Sequence, residues 1–101
     1  MTAEVEGETA PYRSSVRIRD EGVVWRQLDG EIIVLEMNSG SYLNLNGPGK
    51  VLWLALAEQQ PVEALPGLLV STYGITEDRA RNDSSAFVAD LLQRSLLVPV
   101  E

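Results

Sequence analysis

From Val16 onward, apolar and polar residues alternate with the two-residue period of an extended strand. In VRIRD, Val16 and Ile18 interleave with Arg17 and Arg19, and VVWRQL continues with Val23, Val24, Trp25 and Leu28. Asp29-Gly30 ends this arm, a dipeptide that tolerates positive φ at both central positions of a tight hairpin. A second arm, EIIVLEMN, is rich in β-branched residues and runs into Asn38-Ser39-Gly40, another turn signal. SYLNLN is the third arm. Two turns joining three arms predict a three-stranded antiparallel meander, and a sheet of that size needs a cover over one face.

The second half of the chain is expected to supply the cover, because its spacing becomes helical. After the break at Gly47-Pro48-Gly49, KVLWLALAEQQ carries Val51, Leu52, Trp53, Leu54, Ala55 and Leu56 densely enough for a buried helix. PVEALPGLLVSTYG sets Val62, Leu65, Leu68, Leu69 and Tyr73 at helical spacing, with Pro66 either in the first turn or at a kink and Gly74 as the C′ residue. Thr76 is a suitable N-cap for a third helix, and Glu77 and Asp78 sit at the positive end of its dipole. That helix is predicted over EDRARNDSSAFVADLLQRSLL, and the apolar tail LVPV closes the chain. NDSS at 82–85 interrupts the apolar stripe of Ala80, Phe87, Val88, Leu91 and Leu92 with residues of low helix propensity. These four either face water or form a small polar floor between the helix and the sheet. The pattern as a whole predicts an α+β fold, a three-stranded antiparallel sheet followed by three helices.

Composition narrows the chemistry. The 101 residues are enough for one domain, and with 45% hydrophobic and 23% charged residues the chain is globular in character. Residues 1–13, with Glu4, Glu6, Gly7, Glu8 and Pro11 and no periodicity, read as a flexible N-terminal arm, and 14–101 as the folded domain. There is no cysteine and no histidine. Thiol nucleophiles, histidine-based triads, redox pairs and zinc sites therefore have no ligands or bases to work with. No serine has an obvious activating base, so a binding role without a cofactor is expected rather than catalysis. The net charge is −7, with eight basic residues scattered along the chain, which disfavours both nucleic acid and an anionic membrane surface. The acidic opening MTAEVEGETAPY does not read as a signal peptide, and no apolar run approaches the roughly 18 residues of a spanning helix, so a cytoplasmic location is expected.

The third arm invites a function. A meander has two edges, and an exposed edge offers unpaired N–H and C=O groups to any extended peptide. SYLNLN lacks the charges and prolines that guard against such pairing. If it is an edge, a guest strand could add there and place alternate side chains in pockets beside the neighbouring helix. About four to six hydrogen bonds at roughly 0.5–1.5 kcal/mol net each, with two or three apolar anchors at roughly 1.5–3 kcal/mol each, would oppose an ordering cost of about 2–5 kcal/mol and a further cost of association. The balance suits a Kd between micromolar and tens of nanomolar. The plainer reading is a strand with one face in the core, which pattern alone does not distinguish.

The run from about Val23 to Val100 resembles the PqqD-like family, small recognition elements of pathways that modify ribosomally made peptides. The features that carry the resemblance are LDGEIIVLEMNSGSYLNLN, VLW with Leu56, VEAL to TYGI, and Asp83 with LLQRSLLV. Ser84 and Ser85 depart from the usual apolar residues, Ser95 stands where a glycine is common, and Pro66 interrupts the second helix. The resemblance implies a winged helix-turn-helix-like arrangement in which a precursor's leader segment adds antiparallel to the third strand of the meander, against the third helix. Carried onto this chain, it implies peptide-binding residues Ser41, Tyr42, Leu43, Asn44 and Leu45 on the strand, and Arg79, Asp83, Ala86, Phe87, Asp90 and Leu91 on the helix.

The likeness is greatest to the stand-alone leader-binding proteins of lasso-peptide pathways. It implies as partners a precursor leader peptide, a cysteine-protease-like leader peptidase and an ATP-dependent, asparagine-synthetase-like cyclase. One alternative is the PqqD role itself, presenting the precursor of a quinone cofactor to a radical SAM enzyme. Another is a winged-helix DNA-binding module, which Glu77, Asp78, Asp83 and Asp90 around Arg79 and Arg81 disfavour.

Overall fold

Asp29 and Gly30 take φ of 47° and 83°, both in the left-handed region that a tight hairpin turn demands. They fold β2 (Val23–Leu28) back onto β3 (Glu31–Glu36), and the Met37–Gly40 turn then leads into β4 (Ser41–Leu45). The result is the expected meander in the order β2-β3-β4, antiparallel throughout. The computed structural model describes residues 16–100, and the arm expected over 1–13 lies outside them.

The first arm departs from expectation. It splits into β1 (Val16–Ile18) and β2, and Gly22 turns the chain between them with φ of 75°. β1 pairs antiparallel with β5 (Leu97–Pro99), so that Val16 lies opposite Pro99 and Ile18 opposite Leu97. The apolar tail is thus a strand of a second, two-stranded sheet. The Arg19 N–H continues this link by donating to the Leu96 carbonyl at 2.9 Å.

Three helices cover the meander's inner face. α1 (Gly47–Ala57) starts earlier than predicted, because Pro48 in its first turn has no N–H to leave unpaired. A 3-10 turn over Val62–Ala64 leads into α2 (Leu65–Tyr73), where Pro66 also falls in the first turn, so no kink arises. Gly74 ends α2 in left-handed backbone, as expected. Thr76 caps α3 (Glu77–Gln93), its Oγ1 accepting from the Arg79 N–H at 3.2 Å.

α3 was expected to run through Leu97 but stops at Gln93, and the cause is its C-terminal geometry. Ser95 takes φ of 63°, its N–H donates to the Leu92 carbonyl, and the Leu96 N–H donates to the Leu91 carbonyl. That pair of bonds is a Schellman closure, which favours glycine at the left-handed position. α1 ends the same way around Gln59, at φ of 64°.

The core joins Ile32, Val34 and Leu45 of the sheet to Leu52, Trp53 and Leu56 of α1, Leu65 and Leu69 of α2, and Ala80 and Leu91 of α3. Burying each large aliphatic side chain contributes roughly 1.5–3 kcal/mol. Trp53 is fully buried and meets Trp25 edge to face, with ring centroids 5.9 Å apart and planes at 79°. Of NDSS, Asn82, Asp83 and Ser85 face solvent. Ser84 alone turns inward, on the buried stripe with Ala80 and Leu91.

Candidate functional site

The backbone phase of the meander shows which groups remain free. Met37 donates its N–H to the Gly22 carbonyl, and that pair continues the register of β2 on β3. Because antiparallel ladders alternate bonded and non-bonded pairs, Glu31, Ile33 and Leu35 bond toward β2, while Ile32, Val34 and Glu36 bond toward Leu45, Leu43 and Ser41 of β4. Tyr42 and Asn44 therefore point their N–H and C=O groups away from the sheet. Among the described strands none lies beyond β4. Among the described residues the uncharged third arm of the meander is an open edge, which meets the condition set for strand addition.

Side chains on β4 divide by face. Leu43 and Leu45 point inward, half-buried and buried, whereas Tyr42 and Asn44 are exposed on the outer face. Beside this edge, α3 packs chiefly on α2 and on β5 rather than on β4. Leu45 of β4 and Phe87 of α3 both come close to Gly49 in the first turn of α1. A Cβ at Gly49 would lie 3.3 Å from Leu45 Cδ2 and 3.6 Å from Phe87 Cε1. A side chain at Gly49 would press on Leu45, which would have to give by a few tenths of an ångström, and would sit in ordinary contact with Phe87.

The helix residues singled out from sequence fall into distinct places. Phe87 is half-buried and faces Gly49, while Ala86 is exposed one residue before it. Arg79 and Asp83 pair with each other at 3.7 Å on the exposed surface, and Asp90 pairs with Arg94 at 2.9 Å. Leu91 is fully buried in the core, beneath the surface rather than on it. Arg81 is held by Asp78 at 2.7 Å and Glu77 at 3.7 Å. The arginines of α3 are matched by acids on their own helix, which leaves no cationic face for a phosphate backbone.

One determinant was missed from sequence. Glu36 is 7% exposed and accepts hydrogen bonds from the Ser39 N–H at 2.8 Å, the Ser39 hydroxyl at 2.7 Å, and the Arg19 guanidinium. The Ser39 hydroxyl and its N–H, with Arg19 adding to them, hold the carboxyl down from 4.5 to about 2 despite burial. This carboxylate braces the turn that presents β4 and ties it to the segment after β1. The signal was available in the inward register of Ile32, Val34 and Glu36, where an acid is out of pattern.

Comparison with known proteins adds an independent observation. The profile of a family described as Coenzyme PQQ synthesis protein D (PqqD) matches residues 31–97, which takes in β3, the free edge β4 and all three helices. The chain belongs to the PqqD family. Two solved structures share the PqqD-like fold. "TbiB1 in Complex with the TbiA(beta) Leader Peptide" is 25% identical, with a TM-score of 0.74 over 80% of this chain and 93% of that one. "Lasso peptide synthetase B1 complexed with the leader peptide" is 24% identical, with a TM-score of 0.75 over 84% of this chain and 99% of that one, a likeness of fold. No curated protein matches. No helix among the described residues of this PqqD-family chain is long and apolar enough to cross a membrane.

Proposed function

We propose that this protein binds the leader segment of a ribosomally synthesised precursor peptide by strand addition to β4, and delivers it to the leader peptidase and cyclase of a lasso-peptide pathway. The observation that carries the reading is the edge left open among the described strands, with the outward backbone groups of Tyr42 and Asn44 on it and Phe87 half-buried near Leu45 at its end. The same fold holds a leader peptide in the two solved relatives, which supports assigning the edge to that guest. Ser41 to Leu45 supply the pairing strand, and Phe87 supplies the apolar wall. Arg79, Asp83, Ala86 and Asp90 flank it on α3, and Leu91 supports it from below. The protein acts as an adaptor: holding the precursor near the peptidase raises its local concentration and requires no catalytic group of its own. A cytoplasmic setting fits this role.

The family's description favours a second reading, presentation of a quinone-cofactor precursor to a radical SAM enzyme. Fluorescence-anisotropy titration with labelled leaders of both precursor types distinguishes the two. Saturable binding of the lasso leader at micromolar Kd or tighter supports the first reading. Preference for the quinone precursor transfers the assignment to the second, and binding of neither refutes leader recognition.

A further inference from the structure

Most ion pairs among the described residues are local. Arg17 with Asp20, Arg79 with Asp83, Arg81 with Glu77 and Asp78, and Arg94 with Asp90 are exposed and three or four positions apart. Pairs of that kind contribute little. Arg19 and Glu36 differ: they lie 17 positions apart, and both side chains are mostly withdrawn from solvent. The Arg19 guanidinium donates from Nη2 to the Glu36 carboxylate and from Nε to the Glu21 carbonyl at 2.9 Å. It lies against the Gly22 turn, where a Cβ would be 3.4 Å from Nη2. The Arg19 backbone N–H meanwhile donates to the Leu96 carbonyl, directly after the closure that ends α3. Glu36 passes the connection on, because its other oxygen accepts from Ser39 and the Ser39 hydroxyl accepts from the Ser41 N–H at 3.3 Å, where β4 begins. One residue therefore joins the end of α3 to the start of β4, although α3 packs chiefly on α2 and β5 rather than on β4.

We propose that Arg19 is a positioning residue for leader recognition, holding the start of β4 in fixed relation to the end of α3 so that the pairing strand is already ordered when the guest arrives. The inference rests on the reading of β4 as the leader-binding edge. Arg19 acts through Glu36 and Ser39, not through the outward groups of Tyr42 and Asn44. Without the guanidinium, the Glu36 carboxylate is left buried without its cation, and the turn before β4 relaxes to bring it to water. The guest must then order that strand on binding, a cost that comes out of affinity. Lysine keeps the charge but carries a single ammonium in place of the planar fork, so it cannot serve Glu21 and Glu36 in the same geometry. Leader affinity therefore falls in the order wild type, Arg19→Lys, Arg19→Met.

The test titrates a labelled lasso-precursor leader with the full-length protein and its variants by fluorescence anisotropy, well below the Tm of each variant measured by circular dichroism. Arg19→Met should weaken binding about tenfold, and Arg19→Lys should recover part of the loss. Glu36→Gln should weaken it as well, and adding it to Arg19→Met should cost little more, because both changes break one connection. Two controls should stay within about twofold of the wild type. Arg17→Met removes an exposed cation of β1, and Val70→Ala lowers Tm by trimming a partly buried side chain of α2, which separates positioning from stability. Wild-type affinity in folded Arg19→Met overturns the proposal. So do losses from Arg19→Met and Glu36→Gln that multiply in the double variant, or an equal loss in Val70→Ala. If Arg19→Met does not fold, folded Glu36→Gln decides instead, and unchanged affinity there overturns the proposal. A wild type that does not bind the leader overturns the reading of β4 and this inference with it; a wild type and Arg19→Met that bind equally well overturn this inference alone.

Discussion

At β4 the outward backbone groups belong to Tyr42 and Asn44, Leu45 at its end and Phe87 of α3 both approach Gly49, and the strand is uncharged along its length. At β2 the outward groups belong to Val23, Trp25 and Gln27, since Val24 and Arg26 bond to β3. There the neighbouring space is a cavity of about 170 Å³ between Ile18, Trp25 and Leu56, room for about one side chain rather than a channel along the strand. The two edges share one sheet and one kind of unpaired backbone. What differs is the surrounding surface: α3 packs chiefly on α2 and β5 rather than on β4, whereas β1 and the end of α1 line the cavity beside Trp25.

Proline substitution should break the comparison most sharply. Asn44→Pro removes an outward N–H without removing a bond to β3, so the sheet should survive while leader affinity falls at least about tenfold, through one lost hydrogen bond and one guest carbonyl left unpaired. Gln27→Pro makes the matching change on β2 and should leave anisotropy titrations unaltered. Equal losses from both would mean that the edges are not functionally distinct.

Phe87→Ala should weaken the leader about tenfold by removing the groove's apolar wall, with circular dichroism confirming that the fold is kept. An unchanged Kd would place the guest away from α3.

Glu36 braces the β4 side of the meander, whereas the β2–β3 turn relies on the left-handed geometry of Asp29 and Gly30. Its carboxyl titrates at about 2 in the folded protein against 4.5 in a free chain. The stabilisation is therefore complete above about pH 4.5 and lost as pH falls through about 2. Glu36→Gln should lower Tm at neutral pH and converge with the wild type near pH 2. A gap between the two that is constant across this range would assign the stabilisation to something other than the ionised carboxylate.

The smallest effect on binding is expected from Ser95→Gly. Relief of left-handed strain at the end of α3 should add about 1 kcal/mol, raising Tm by about 4–8 °C, with leader affinity unchanged. A change in affinity would extend the groove to that end of the helix.

Much of this architecture was legible because its signals are local. Alternation around Asp29-Gly30, the Thr76 cap and Gly74 each specify backbone within a few residues. The division of the first arm was not, since β1 finds its partner at the opposite end of the chain, and alternation carries no information about distant pairing. The helix boundaries shifted for a related reason: Pro48 and Pro66 are tolerated only in a first turn, and Ser95 adopts a backbone that its side chain does not advertise. At the candidate site, the uncharged edge could be read from SYLNLN, but the Gly49 approach of Leu45 to Phe87 and the Glu36 brace exist only once the helices are folded over the sheet.

Residue-resolved hydrogen exchange with and without leader peptide tests the central claim most directly. The account predicts that the Tyr42 and Asn44 amides exchange readily in the free protein and become protected when the leader binds, while Val23, Trp25 and Gln27 on β2 do not change. Protection confined to β2, or saturable binding that leaves Tyr42 and Asn44 unprotected, would contradict strand addition at β4.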